Sequence, residues 1–371
     1  MKKELLSIQE AARFLKVSRP TFNRIRAQKK IPEYVVGKRV FYNNSDLVAY
    51  IENKSKSSFV SAAKQFAAVG INLLSEQTID DLEIRENVFD LRRIKFIDSF
   101  GIISLLTTII EKGKEQKVQL VIDDSYWCGY FDKIGFFHLI ENACKENVSW
   151  EKNIVQQSQM LTSDVVLPIM ALQKGTEKNV TDRLVTVLQK QGFGSSVGGY
   201  LAWVFGELLD NIFTHSHALL SKRICYLLIS RYLIDDHNCL SIALADLGCG
   251  IPQSLKTNPK YSAVSDERAL IESFKTYVSS WDDAYQRGKG LTDVMKIAMG
   301  NRSFFRVESG GFSFLMDFRD PSHNKIERKR VLSKAVGTRF GLSLIDHDFV
   351  SEVSRENVNQ LIEAYIKGMK L

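Results

Sequence analysis

A helical stretch that sets two polar groups beside its apolar stripe constrains this chain more than any other feature. Leu201, Val204, Phe205, Leu208 and Ile212 recur at helical spacing. Glu207 and Asn211 stand four apart on the same stretch, so they project from one face, one turn from each other. A carboxylate and a carboxamide held beside an apolar stripe are expensive for a core helix. Three later segments belong with it. An apolar strand, Leu240 to Ala245, delivers Asp246-Leu247-Gly248-Cys249-Gly250. Arg287-Gly288-Lys289-Gly290-Leu291 stands at the mouth of another helix, and Gly337-Thr338-Arg339-Phe340 opens a further strand.

Taken singly, a Glu/Asn pair on a helix describes a solvated edge and a Gly-x-Gly describes a turn. In this order the four segments resemble the N box, the two glycine boxes and the closing Gly-Thr strand of the histidine-kinase-like (GHKL) ATPases, over residues 160 to 345. The resemblance implies a Bergerat-type α/β sandwich that binds ATP and Mg²⁺. Under it, Asn211 gives an amide oxygen to the metal, and Glu207 takes a proton from a nucleophile approaching the γ-phosphate. Asp246 accepts from the adenine amino group, while Gly248 and Gly250 let the backbone come close to the base. Gly288, Lys289 and Gly290 hold the phosphates at a helix N-terminus, and Thr338 completes the nucleotide site.

The net charge of +7 is unevenly placed. Residues 1 to 58 hold 13 Lys or Arg against 5 Asp or Glu, which leaves the rest of the chain nearly neutral. A basic end on a neutral body is the footprint of nucleic-acid binding. That end also has a folded pattern. Ser7 with Glu10 forms a capping box ahead of Ala11, Ala12 and Leu15 at helical spacing. Ser18-Arg19-Pro20 starts a second helix, Tyr34 to Tyr42 reads as a hairpin turning at Gly37-Lys38, and Ser45-Asp46 caps a last short helix. Residues 5 to 53 thus resemble the winged helix-turn-helix of the excisionase and MerR-like family. The resemblance implies duplex DNA as partner, with Arg19, Thr21, Asn23 and Arg24 of the second helix facing the major groove and Lys38 and Arg39 on the wing. Asn23 and Arg24 would read base edges, and the lysines would hold phosphates.

A polar, Ser-rich linker over 53–58 ends this first segment. Beyond it an expected helix, Ala62 to Leu74, leads into alternating strands and helices: a strand at 87–91, the turn Asp98-Ser99-Phe100-Gly101, an apolar helix through Ile110, a strand at 118–122 and a further helix and turn near 130–136. The Asp98-Ser99 turn resembles the STAS domain of anti-sigma-factor antagonists, in which the Ser is phosphorylated by a GHKL partner kinase. Ser99 matches the phosphoacceptor. Phe100 departs from the pattern, which has a small Ser or Thr there. Read from the residues alone, Ser99 is a helix N-cap.

The expected fold is therefore a multidomain α/β protein: a winged helix-turn-helix over 1–58, a STAS-like layer over 59–155, a GHKL domain over 156–347 and a C-terminal helix over 348–371. No apolar run approaches the length of a membrane span, and the start lacks an apolar signal core, so a cytoplasmic protein is expected. The five cysteines lack metal-ligand spacing and read as packing residues. A homo-oligomer and a protein partner for the STAS-like or ATPase domain are further expectations. Function divides three ways: a DNA-binding regulator whose GHKL domain is a switch or an anti-sigma-type serine kinase, a DNA-bound ATPase that closes a dimer without phosphotransfer, or a repressor in which ATP is structural.

Overall fold

A computed structural model of the protein describes residues 5–15, 19–27, 31–37, 39–47, 82–94, 97–123, 126–151, 165–190, 202, 205–206, 208–209, 212–213, 224–234, 237–280, 289–320, 324–330, 337–345 and 353–368. The expected helix over 62–74 lies outside them. The chain divides into two compact units, Met1–Val69 and Gly70–Leu371.

In the first unit, Ser7 caps the helix Ile8–Phe14 by the expected reciprocal pair: its Oγ accepts from Glu10 N–H, and its own N–H donates to Glu10 Oε2 at 2.8 Å. The second helix, Arg19–Ala27, turns Phe22 inward, where the ring meets Tyr42 edge-on at 5.0 Å. Strands β2 (Tyr34–Val36) and β3 (Arg39–Asn43) pair across Gly37, whose φ of 63° suits the hairpin turn. Two features differ from the sequence reading. A strand β1 (Leu5–Ser7) adds to β3, giving a three-stranded sheet in the order β1-β3-β2. The last short helix is capped by Asn43, whose Oδ1 accepts from both Ser45 N–H and Ser45 Oγ, so the cap sits two residues earlier than Ser45.

The second unit holds two sheets. The smaller contains β4 (Glu83–Arg85), β5 (Val88–Asp90), β6 (Val118–Val121) and β7 (Val148–Ser149); β5, β6 and β7 run parallel and β4 is antiparallel to β5. The larger contains β8 (Val165–Leu172), β9 (Cys225–Ile234), β10 (His237–Asp246), β11 (Phe304–Ser309), β12 (Phe312–Asp317), β13 (Lys325–Arg330) and β14 (Thr338–Ile345). Its order is β13-β12-β11-β14-β10-β9-β8, and every neighbouring pair is antiparallel. The pleat sorts its residues. Leu240, Ile242, Leu244, Phe305, Val307, Phe340 and Leu342 join one apolar core with Leu208 and Ile212 and the helices Gly290–Gly300 and Arg355–Gly368. The opposite face carries Ser241, Ala243, Ala245, Arg306, Glu308, Arg339, Gly341 and Ser343, set by the same alternation.

That second face is not solvated. The helix Ser99–Glu115 packs on β9, β10 and β14 while also touching β6 and the helix Phe136–Cys144. It is buried on all sides from Ser99 to Ile110, as a helix enclosed between layers must be. Phe100 lies where a Cβ on Gly341 would be only 2.7 Å from its ring, so the missing side chain at 341 makes room for it. The layers expected over 59–155 and 156–347 therefore share one packed contact within the unit.

Candidate functional site

At one end of the large sheet, β10 finishes in Asp246 and β14 begins at Thr338. Asp246 is buried, and its two oxygens are anchored: Oδ1 accepts from Gly248 N–H at 2.6 Å and Oδ2 from Thr338 N–H at 3.1 Å. Burial pushes the carboxyl up to about 6, opposed by those two N–H groups. A carboxylate has about four lone-pair positions, so both oxygens keep acceptor capacity.

The backbone around it is held by close approach. Gly337 has φ of 81°, and a Cβ there would lie 2.0 Å from the Asp246 carbonyl oxygen. Gly250, with φ of 80°, would put a Cβ 2.7 Å from Ser309 Oγ. Ser309 is the knot of this loop cluster: its Oγ accepts from Ile251 N–H at 2.9 Å, donates to the Gly337 carbonyl at 3.0 Å and meets Thr338 Oγ1 at 3.1 Å.

Asp246, Gly250 and Thr338 floor a cleft of about 770 Å³ of empty space, part of it open to solvent. Leu208, Ile212, Leu255, Val278 and Phe340 give it apolar walls, and Ser254, Ser273 and Ser279 add hydroxyl-bearing positions. Gly290 and Leu291 line it from the first turn of the helix Gly290–Gly300, which has no side-chain cap. Uncapped first-turn N–H groups at a helix N-terminus suit anionic oxygens. An apolar cleft with one buried carboxylate at its floor and a helix N-terminus at its rim has the character of a small-molecule site.

Four residues singled out from the sequence, Asp246, Gly250, Gly290 and Thr338, meet in this cleft. Gly248 holds the Asp246 carboxylate, and Lys289 places its ammonium 5.6 Å from the centre of the Tyr277 ring. Glu207, Asn211 and Gly288 lie outside the described residues; their chain neighbours Leu208 and Ile212 line the cleft. Among the described residues, no group of three His, Cys, Asp or Glu side chains is placed to hold a metal. Ser309 and the serines at 254, 273 and 279 carry no sequence signal, since isolated serines in connecting segments are common; Ser309 is marked only by standing before the Gly310-Gly311 turn.

Ser99 is elsewhere. It is the first residue of its helix, and the cap is Asp98, whose Oδ1 accepts from Gly101 N–H at 2.8 Å, which corrects the reading of Ser99 as N-cap. Ser99 is 0% exposed, and its hydroxyl donates to the Ser241 carbonyl at 3.2 Å. In this arrangement the hydroxyl is enclosed against the large sheet.

In the first unit, Arg19 and Asn23 stand one turn apart on the second helix and are exposed while Phe22 is buried, and Arg39 is exposed on β3. Thr21 and Arg24 belong to the same helix, though their side chains, like all of Lys38, lie outside what is described. Arg26 turns back into the unit, where Glu33 accepts from its Nε at 2.9 Å and from the Tyr42 hydroxyl at 2.5 Å.

Compared with known families, residues 5–55 match the helix-turn-helix domain family. No curated protein matches the chain. The N-terminal segment is thus a helix-turn-helix domain of excisionase-like type, a class whose partner is DNA, and the whole is a mixed α/β multidomain protein. No helix among the described residues is long and apolar enough to cross a membrane. All five cysteines are free thiols, four buried and Cys249 partly so.

Proposed function

We propose that this chain is a DNA-binding regulator whose second unit binds Mg-ATP in the Asp246 cleft and acts as a nucleotide-controlled switch, without phosphotransfer to Ser99. The observation that carries this reading is the convergence of Asp246, Gly250, Gly290 and Thr338, distant in sequence, on one cleft. The residues fit the nucleotide. Asp246 offers spare acceptor lone pairs to an exocyclic amino group, the glycines at 250 and 337 let the loops close tightly around Ser309 and the Asp246 backbone, and the first turn of the Gly290 helix offers N–H groups to phosphate oxygens.

The resemblance to the GHKL ATPases assigns Asn211 to the metal and Glu207 to the proton of an attacking water, and their chain neighbours Leu208 and Ile212 line the cleft. When bound, Mg-ATP supplies a transferable γ-phosphoryl group. The enclosure of Ser99 favours water over this serine as its acceptor. DNA is held by the helix-turn-helix unit, with Arg19, Thr21, Asn23 and Arg24 on the reading helix and Lys38 and Arg39 on the wing.

The test is incubation of the full chain with Mg-ATP, followed by product analysis and intact-mass spectrometry. Release of ADP and phosphate from an unmodified chain, abolished in Glu207→Ala with binding retained, is the expected result. A chain that gains one phosphate at Ser99 would restore the serine-kinase reading.

A further inference from the structure

The polar face of the large sheet carries a buried charged cluster that the nucleotide reading does not use. Arg339 is 2% exposed and crosses to the helix Ser99–Glu115, where its Nε donates to Thr107 Oγ1 at 3.1 Å and its Nη2 to Thr108 Oγ1 at 3.0 Å. Both hydroxyls already donate within the helix, Thr107 to the Ile103 carbonyl and Thr108 to the Ser104 carbonyl, so their lone pairs are free for the guanidinium. Glu308 offsets one of the two guanidinium charges. It accepts from Arg306 Nη2 at 2.8 Å, while Arg339 Nη1 stands 3.6 Å from its other oxygen and makes no hydrogen bond. Arg306 in turn lies over the Phe100 ring at 4.9 Å.

The same two strands reach the cleft. Thr338 pairs with Ser309 across β14 and β11, and Arg339 pairs with Glu308, one residue further on each strand. Alternation puts the first pair at the cleft and the second under the helix. Thr338 N–H holds the Asp246 carboxylate, and Gly337 is wedged against the Asp246 carbonyl oxygen, so the start of β14 has little freedom to move alone. A displacement of Thr338 carries Arg339 with it, because one peptide bond joins them.

We propose that occupancy of the Asp246 cleft and the seating of the helix Ser99–Glu115 are coupled through the Thr338-Arg339 step, so that the layer containing residues 82–149 responds to what the cleft holds. The coupling rests on the reading of the cleft as a nucleotide site. It is reciprocal: loosening the helix weakens the ligand by the factor with which the ligand tightens the helix. The gap between Arg339 Nη1 and Glu308 Oε2 is the slack in the device, since a small shift of Arg339 closes it into a charged hydrogen bond.

Calorimetric titration of Mg-ATP into the full chain and into the double variant Thr107→Val/Thr108→Val tests the coupling. Neither threonine lines the cleft, and valine keeps the shape while removing the acceptors for Arg339. Affinity is expected to fall by roughly five- to tenfold, within the range of measured coupling energies, while Thr186→Val on the solvent-facing side of the helix Glu177–Lys190 leaves it unchanged. Equal affinity in the folded double variant overturns the coupling while leaving the nucleotide site standing. If the double variant does not fold, hydrogen exchange on the native chain decides: Mg-ATP slows exchange in Ser99–Glu115, and unchanged exchange there overturns the proposal. Absence of Mg-ATP binding to the native chain overturns the coupling together with the nucleotide reading.

Discussion

Among the described residues, two buried carboxyls are pushed well above the usual carboxylate range. Burial pushes Asp246 up to about 6 and Asp98 up to about 7, against an ordinary 3.8 for each. A raised folded-state value means that the native chain holds a proton where the unfolded chain has lost it, so stability from these groups is full below about pH 4 and is lost as pH rises through 6 and 7. Replacing Asp98 with Asn is expected to flatten the fall in thermal midpoint over that window, as scanning calorimetry at several pH values would record; an unchanged slope contradicts the assignment. Ligand binding runs the other way. Ionised Asp246 is the form that accepts from an amino group, so Mg-ATP affinity is expected to drop as pH falls below about 6. Gly337→Ala tests the floor of the cleft. A left-handed φ and a Cβ 2.0 Å from a carbonyl oxygen are expected to cost roughly 2–4 kcal/mol in chemical denaturation. At this scale Asp246 and Gly250 are legible in the sequence only through their order among the GHKL-like segments, since an acidic residue before a Gly-x-Gly alone reads as a turn. Ser309 is not legible, since its role depends on three loops meeting.

The helix Ser99–Glu115 is the element that most alters the sequence reading. Its apolar pattern shows a buried helix, and Asp98-Ser99 at its start suggests an accessible acceptor turn. Only the tertiary arrangement reveals that the turn faces the carbonyl of Ser241. Phe100, which breaks the STAS-like pattern, has its reason here: its ring fills the space over Gly341 and carries Arg306 on its face. The strands at 87–91, 118–122 and 240–245 were legible from their apolar runs, whereas the strand Cys225–Ile234 was not, and the alternation of Arg306, Glu308 and Arg339 with apolar residues suits a sheet with one face in water. A second layer supplies threonine hydroxyls and a helix instead, so these charges are buried and partnered. Gly341→Ala is expected to destabilise the chain by about 1–3 kcal/mol through overpacking against Phe100, and Phe100→Leu in the same chain should recover part of that loss. Strictly additive effects in urea denaturation would contradict the contact.

Across the whole molecule, a small helix-turn-helix unit and a large α/β unit are compact on their own account. The division of charge follows them, because the basic excess lies in residues 1–58 and the remainder is nearly neutral. Duplex affinity is therefore expected to reside in the first unit and to fall with salt, on the order of a thousandfold between low and moderate salt for six phosphate contacts. A chain lacking the first unit that kept the same salt slope would contradict this. Arg24→Ala is expected to relax sequence preference and Lys38→Ala to weaken all sequences alike, as binding to a panel of duplexes would show. The central claim is that the Asp246 cleft holds a nucleotide. Its most direct measurement is calorimetric titration of Mg-ATP into the native chain and into folded Asp246→Ala at neutral pH. Saturable binding to the native chain that is lost in the variant is the predicted result; no binding to the native chain, or equal affinity in the two, contradicts it.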